Sequence, residues 1–313
     1  KEKDSNRIRF QGSQNFDSIQ SSFHLIFRFS RSQKKNERSS SLSSIRQRTL
    51  FMVKPEGMKR FGDVVSSVEK SGLIVANLKS VRLGADAAKE WIASNESMDS
   101  VDETMLTESM CVVMDLRGPK AIDICSSLCK SSSTSLDSKS SSNDSLYTSP
   151  NEDAAMADLK FFFGSKAPKS SATYKSCSLC LVKPHIVAQG NVGAVIQAIL
   201  NKMDISAIQK INFTKQDCAE FLQSYSFLSR FSDHINEMAS GACYAIEVRG
   251  GEDIVSRLRA FVGPYDVTVA KELSPDSLRA RFGRDSIQNA VHVTDLETDG
   301  SMECAFAFGA SSS

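Results

Sequence analysis

The sequence predicts an α+β protein in which one strand–helix–strand–strand–helix–strand unit occurs twice behind a basic, serine-rich arm. Two observations carry the prediction: apolar runs recur with a period near 130 residues, and each is followed by the same succession of segments. A third, the 41% hydrophobic content of 313 residues, leaves room for about two domains, each with a core of its own. The expected boundaries are an arm at 1–48, a first unit at 49–165 and a second at 175–308.

Leu50-Phe51-Met52-Val53-Lys54-Pro55 recurs as Leu179-Cys180-Leu181-Val182-Lys183-Pro184. An apolar run closed by Lys-Pro reads as a buried strand ending where proline forbids further pairing. Gly62 to Val68 then matches Gly193 to Ile199, each with an apolar stripe at helical spacing. Extended segments return at Ile74–Lys79 and Ile205–Lys210. Polar, helix-rich stretches follow, then short apolar strands at Met110–Met114 and Ala242–Ile246. Further helices are expected near Lys120 and Glu252, and a Phe-rich last strand at Leu159–Phe163 and at Cys304–Phe308. This succession is the split βαβ, or ferredoxin-like, arrangement: an antiparallel sheet with helices on one face.

Composition excludes several classes of function. The formal net charge of +1 argues against a general nucleic-acid binder. No stretch approaches the roughly 18 apolar residues of a membrane span, and Lys1 to Asp17 is too polar for a signal peptide, so a soluble cytoplasmic protein is expected. Residues 1–48 hold eleven Lys and Arg against four Asp and Glu. Such an arm is either a solvated, flexible leader or a docking segment for an acidic surface such as a microtubule; Phe23–Phe29 could form one short strand within it. The eight cysteines include one C-x-x-C pair, Cys177 and Cys180, with no second pair at zinc-site spacing. Reduced thiols flanking or entering a strand are the expectation.

The two units diverge chemically between their second helix and their end. Residues 131–158 carry no Arg and no His, whereas residues 257–292 hold Arg257, Arg259, Arg279, Arg281, Arg284, Asn289 and His292. Guanidinium groups clustered beside a histidine suit a polyphosphate, because Arg offers planar paired donors to phosphoryl oxygens.

Gln288-Asn289-Ala290-Val291-His292-Val293-Thr294-Asp295 is similar to the nucleoside diphosphate kinase signature of Asn, two residues, His, Gly, Ser, Asp. Lys183-Pro184, Ser240-Gly241, Gly263-Pro264, Ser277-Leu278-Arg279 and Glu303 fall in that family's order, so the resemblance covers residues 175–308 and, more weakly, the first unit through Val53-Lys54-Pro55. It implies transfer of a γ-phosphate from a nucleoside triphosphate to a histidine and on to a nucleoside diphosphate, normally with Mg²⁺. By resemblance His292 is the nucleophile and Glu303 orients it. Lys183, Arg259 and Arg279 hold the phosphates and Asn289 meets the ribose. Thr294 keeps a hydroxyl beside the histidine, and the base-slot aromatics align with Leu222 and with Arg230 or Phe231. Tyr265 and Val293 depart from the family pattern.

In the first unit Tyr147 aligns with the nucleophile and Asp144 with the Asn, so this unit is expected not to catalyse; its Ser131–Ser145 stretch reads as a loop, with phosphorylation as an alternative. A tandem pair with a degenerate first member resembles the nucleoside diphosphate kinase seven-like group of cilia and flagella. That group implies tubulin or axonemal microtubule partners, either within the doublet or at the gamma-tubulin complex, and a cytoskeletal location. The family's dimer implies that the two units pack on each other within one chain.

Overall fold

The computed structural model describes residues 47–95, 100–132, 145–227 and 230–309. The arm, its expected Phe23–Phe29 strand, Asp144 and most of Ser131–Ser145 lie outside the described residues. The first half runs β1 (Arg48–Val53), α1 (Phe61–Lys70), β2 (Ile74–Val81), α2 (Ala85–Ala93), α3 (Ser100–Glu108), β3 (Cys111–Arg117), α4 (Ala121–Ser132), β4 (Leu146–Thr148) and α5 (Glu152–Phe163). The second repeats it as β5 (Cys177–Val182), α6 (Pro184–Ala188), α7 (Val192–Leu200), β6 (Asp204–Ile211), α8 (Lys215–Phe221), α9 (Phe231–Met238) and β7 (Cys243–Arg249). It continues through α10 (Ile254–Val262), α11 (Val267–Leu273), α12 (Leu278–Phe282), β8 (Val291–Val293) and α13 (Gly300–Gly309).

The expected split βαβ unit is present twice, with two corrections. Leu159–Phe163 and Cys304–Phe308 are helical, within α5 and α13, not strands. Helical periodicity outweighs the β-preference of phenylalanine there: Ala155, Leu159 and Phe162 form one buried stripe, and the Asn151 side chain caps α5 by accepting from Ala154 N at 2.9 Å. The last strands are instead the three-residue β4 and β8, which carry Tyr147 and His292.

The second correction concerns the sheet faces. All eight strands form one antiparallel sheet in the order β4-β1-β3-β2-β6-β7-β5-β8. Its strands are apolar on both sides; in β1, Leu50, Phe51, Met52 and Val53 are all fully buried, so one covering layer is insufficient. Helices therefore cover both faces. Phe51, Val53, Cys180 and Val182 point into a single core shared by both halves under α1, α4, α7 and α10. Leu50 and Met52 point to a cluster under α2, α3 and α5, and Leu179 and Leu181 to another under α8, α9 and α13.

The halves join through β2 and β6, where Lys79 pairs with Gln209 and Ile208 N donates to Ser80 Oγ at 2.9 Å. Above this seam α1 crosses α7 at Gly62 and Gly193, the glycines that the repeat aligns. A Cβ on Gly62 would overlap the backbone at Gln197, and one on Gly193 would overlap Ser66 N and Gly62 O. Glu69 of α1 caps α7, accepting from Val192 N at 2.9 Å and Gly193 N at 3.2 Å, where Asn191 supplies no side-chain cap. Gln197 of α7 returns the contact by accepting from Asp63 N at 3.3 Å.

Gly193→Ala is expected to cost about 1–3 kcal/mol, the usual penalty of overpacking, seen as a lower urea midpoint at unchanged slope. Gly84→Ala, with nothing within 4 Å of the new methyl, should stay within about 0.5 kcal/mol of the parent.

Candidate functional site

At the β8 edge of the sheet, the strand ends and the α9–α12 segments enclose a cleft of about 740 Å³, within the size range of small-ligand sites. Lys183, Arg259, Arg279, Asn289 and His292 all line it. The structure thus brings together residues from four separate stretches of the chain.

β8 places His292 opposite Leu181 of β5, 9% exposed, with its ring packed edge-on against Phe221 at 4.9 Å. Its Nε2 faces Glu303 Oε2 at 3.4 Å. A proton held on Nε2 by the carboxylate leaves the lone pair on Nδ1, which has no hydrogen-bond partner among the described residues. Glu303 is itself anchored, since Thr294 Oγ1 donates to the same oxygen at 2.8 Å and accepts from Leu179 N at 2.9 Å. Thr294 is fully buried. The hydroxyl expected beside the histidine therefore positions Glu303, because both its hydrogen-bonding directions point into the protein.

Lys183 stands where β5 ends, 5% exposed, and donates to Ile287 O at 2.8 Å and Asn289 Oδ1 at 2.7 Å. Asn289 Nδ2 reaches Tyr265 O at 3.3 Å, so its amide ties both walls of the cleft together. Burial, assisted by the neighbouring Arg279, pushes the Lys183 ammonium down to about 8. Arg279 is 9% exposed at the start of α12, donating to Gly263 O at 2.9 Å and Val291 O at 3.3 Å, with Nε unpartnered. Gly263 (φ 87°) permits this approach, since a Cβ would overlap the Ser277 side chain. Among the described residues no carboxylate pairs with Lys183 or Arg279. Arg259 differs: it pairs with the Asp295 carboxylate, which also accepts from Tyr225 OH, and its side chain is 46% exposed.

The loop before β8 rests on a second histidine. His185 Nδ1 contacts Glu237 Oε1 at 2.6 Å while Nε2 accepts from Ala290 N at 3.2 Å, which assigns the proton to Nδ1 and makes the ring neutral. Ala290 has φ 72°, a strained value that this hydrogen bond helps to hold beside Asn289. His185 is therefore structural, as expected.

The base side departs from expectation. Phe231 packs into the core cluster under α8, α9 and α13 and does not line the cleft, because α9 turns that face inward. Leu222 lines it as the alignment implies, together with Tyr225, Phe227, His234 and Met238. Phe227 is 80% exposed, and only its aromatic type could have flagged it in the sequence. His234, expected to be merely structural, meets Tyr265 OH through Nε2 at 2.9 Å, and the Tyr265 ring lies over the Arg279 guanidinium at 5.5 Å.

The first half builds the same scaffold, and its described residues close around Tyr147. Tyr147 pairs with Met52 as His292 pairs with Leu181. Tyr147 OH donates to Asp158 Oδ2 at 2.7 Å, Ser149 Oγ to the same oxygen at 2.6 Å, and Trp91 Nε1 to Asp158 Oδ1 at 2.8 Å. Asp158 and Ser149 thus repeat the positions of Glu303 and Thr294. Burial and Asp158 push the Tyr147 phenol up, and Trp91 packs edge-on against its ring at 5.5 Å.

A tandem α+β fold with a cleft that brings Lys183, Arg279 and His292 together defines the class. The nucleoside diphosphate kinase family model matches residues 47–167 and 176–312, and the chain belongs to that family. It is 29% identical over 286 residues to nucleoside diphosphate kinase homolog 7 of Rattus norvegicus, covering 85% of this chain and 72% of that protein. The mouse homolog 7 is 28% identical over the same length. Nucleoside diphosphate kinase of Aquifex aeolicus is 31% identical over 132 residues, 42% of this chain and 92% of that one. No helix among the described residues is long and apolar enough to cross a membrane.

The Lys183 shift gives a pH test. The unfolded lysine keeps its proton to about 10.4, whereas the folded one releases it near 8. Between these values the unfolded state binds more protons, so stability rises with pH through that window. The parent should therefore gain stability relative to Lys183→Met from pH 8 to 10.5 and show no relative change below pH 7, measured by urea unfolding at each pH.

Proposed function

We propose that the second half transfers the γ-phosphate of a nucleoside triphosphate to His292 and from there to a nucleoside diphosphate. The observation that carries this is the pair of buried cations, Lys183 and Arg279, without carboxylate partners in the cleft that His292 enters. Burying two cations without counter-charge is costly, and a polyphosphate is the ligand whose charge offsets that cost. Neutral His292 attacks the γ-phosphorus through Nδ1 while Glu303 holds the Nε2 proton. The P–O bond to the departing diphosphate breaks, and Lys183 and Arg279 stabilise the charge on the transferring group. The second nucleotide reverses the step. Asn289 contacts the ribose, Arg259 the phosphates once released from Asp295, and Phe227 offers the base an aromatic face.

Mg²⁺ fits as an ion carried by the nucleotide, with phosphate oxygens as its ligands and Asp295 as the one carboxylate lining the cleft. It would neutralise charge on the β- and γ-phosphates. Incubation with γ-³²P-labelled nucleoside triphosphate should give an acid-labile adduct that a nucleoside diphosphate discharges. His292→Ala should abolish both adduct and turnover; labelling that survives the substitution would exclude His292 as the carrier.

A second reading concerns the first half, motivated by Tyr147, Asp158 and Trp91 sealing the site that the second half leaves open. In this reading the first half is a docking module on tubulin or axonemal microtubule proteins, in the cytoskeleton of a cilium or flagellum, as the tandem resemblance implies. Co-sedimentation of the purified chain with microtubules should then be the same for the parent and His292→Ala. A chain that stays in the supernatant at micromolar tubulin would rule the docking role out.

A further inference from the structure

We propose that Cys177 and Cys304 are a modification site, a thiol pair that peroxide converts to a disulfide joining β5 to α13. The pair lies on the far side of β5 from the shared core, and the transfer chemistry does not use it. Cys177 is the first residue of β5 and Cys304 lies 127 residues on in α13, yet their sulfurs share a hydrogen bond at 3.8 Å. Backbone contact holds them there: Gly300, at the start of α13, sits so close that a Cβ on it would overlap Cys177 O. Both cysteines are buried, Cys177 at 4% exposure and Cys304 at 0%, and Tyr174, Lys175 and Ser176, directly before Cys177, are exposed.

A carboxylate, Glu247, completes a group of three whose ligand atoms lie within 4.8 Å of one another, and a thiophilic cation is the competing occupant. Glu247 argues against it. Its Oε1 accepts from Thr173 N at 3.0 Å, Thr173 Oγ1 at 3.1 Å and Ser206 Oγ at 2.6 Å, and its Oε2 from Tyr174 N at 2.9 Å. Three of these donors crowd Oε1 and one engages Oε2, so a cation would compete with donors already in place. The two sulfurs face each other, with Ser301 beside Cys177.

The thiols are unequal in the sense that exchange chemistry needs. The shared hydrogen bond, with Ser301 and Arg249 assisting, draws the Cys177 thiol down against its burial and the Glu247 charge, while Cys304 is pushed up. By contrast burial pushes Cys111, Cys125, Cys180 and Cys218 up to about 12. The Cys177 thiolate attacks one peroxide oxygen, the O–O bond breaks, and the departing hydroxide takes a proton to become water, leaving a sulfenic acid. The Cys304 sulfur then attacks the Cys177 sulfur, giving up its proton as the S–O bond breaks and a second water leaves. Two thiols lose two electrons and one peroxide gains them.

Bond formation brings the sulfurs from 3.8 Å to about 2.05 Å, which shifts α13 against β5. Glu303, the neighbour of Cys304, moves with α13. A change in the His292–Glu303 contact is thus a consequence that rests on the phosphotransfer reading; the crosslink itself does not.

The test is non-reducing peptide mass spectrometry of the full chain after hydrogen peroxide, with thiols counted in denaturant. The expected result is a Cys177–Cys304 linked peptide two hydrogens lighter than its parts, two fewer titratable thiols than the original eight, and full reversal by dithiothreitol. Cys177→Ser and Cys304→Ser should each prevent the link. Recovery of both parent peptides as free thiols, or of Cys177 as a sulfinic acid with Cys304 free, after a dose that oxidises glutathione completely would overturn the proposal. Protection of both thiols from alkylation by one equivalent of zinc(II), without any crosslink on oxidation, would overturn it in favour of a metal site.

Discussion

The close approach of α1 and α7 at Gly62 and Gly193 is the constraint on which the rest of this structure depends. Each half presents a glycine where the other half's helix backbone passes, so the contact repeats about a local two-fold relation. With no side chain between them, the helices sit low enough for Val65, Val68, Val195, Ile196 and Ile199 to join one core. β2 and β6 below can then pair, giving one eight-stranded sheet in place of two four-stranded ones with open edges. Glu69 adds a polar lock by capping α7 from the other half, although its burial raises its pKa.

The fused sheet leaves the β8 edge free to carry the cleft. There the local electrostatics run against stability, since Lys183 and Arg279 are held in the interior by carbonyl and amide oxygens rather than by acids. Such an arrangement is expensive in the empty protein and becomes favourable when an anion enters, which links the cost of the fold to the affinity of the site. The surrounding hydrogen bonds, including the one that fixes the strained Ala290 through His185, keep the donors aimed at the cleft.

The two halves show how little separates a site from a sealed core on this scaffold. Glu303 and Asp158 stand eleven residues beyond His292 and Tyr147, and each takes a hydroxyl hydrogen bond from Thr294 or Ser149. In the first half the shorter aspartate, the indole of Trp91 and the phenol of Tyr147 close on one another, and the buried phenol keeps its proton. In the second, Phe221 offers no polar hydrogen, and Nδ1 of the imidazole has no hydrogen-bond partner among the described residues.

Much of this was readable in the residues themselves. The duplication, the order of the long elements and the Lys-Pro strand ends follow from spacing and residue type, because these are encoded by local periodicity and by side-chain chemistry, while the grouping of Lys183, Arg279, Asn289 and His292 was implied by the family resemblance. The misreadings lie where local signals are short or conflicting. Three-residue strands such as β4 and β8 have no periodicity to detect, and the phenylalanines of α5 and α13 favour strand by type but helix by spacing. That Phe231 packs inward while Tyr225 and Phe227 line the cleft depends on how α9 and the residues before it pack. Likewise, the cover on both sheet faces and the meeting of Cys177 with Cys304 across 127 residues depend on how the helices pack. The sequence by itself thus determined the repeated unit and the set of polar and charged residues its second copy carries. Only the tertiary structure decided which of those groups face one another, because direction and burial arise from long-range packing that no local pattern specifies.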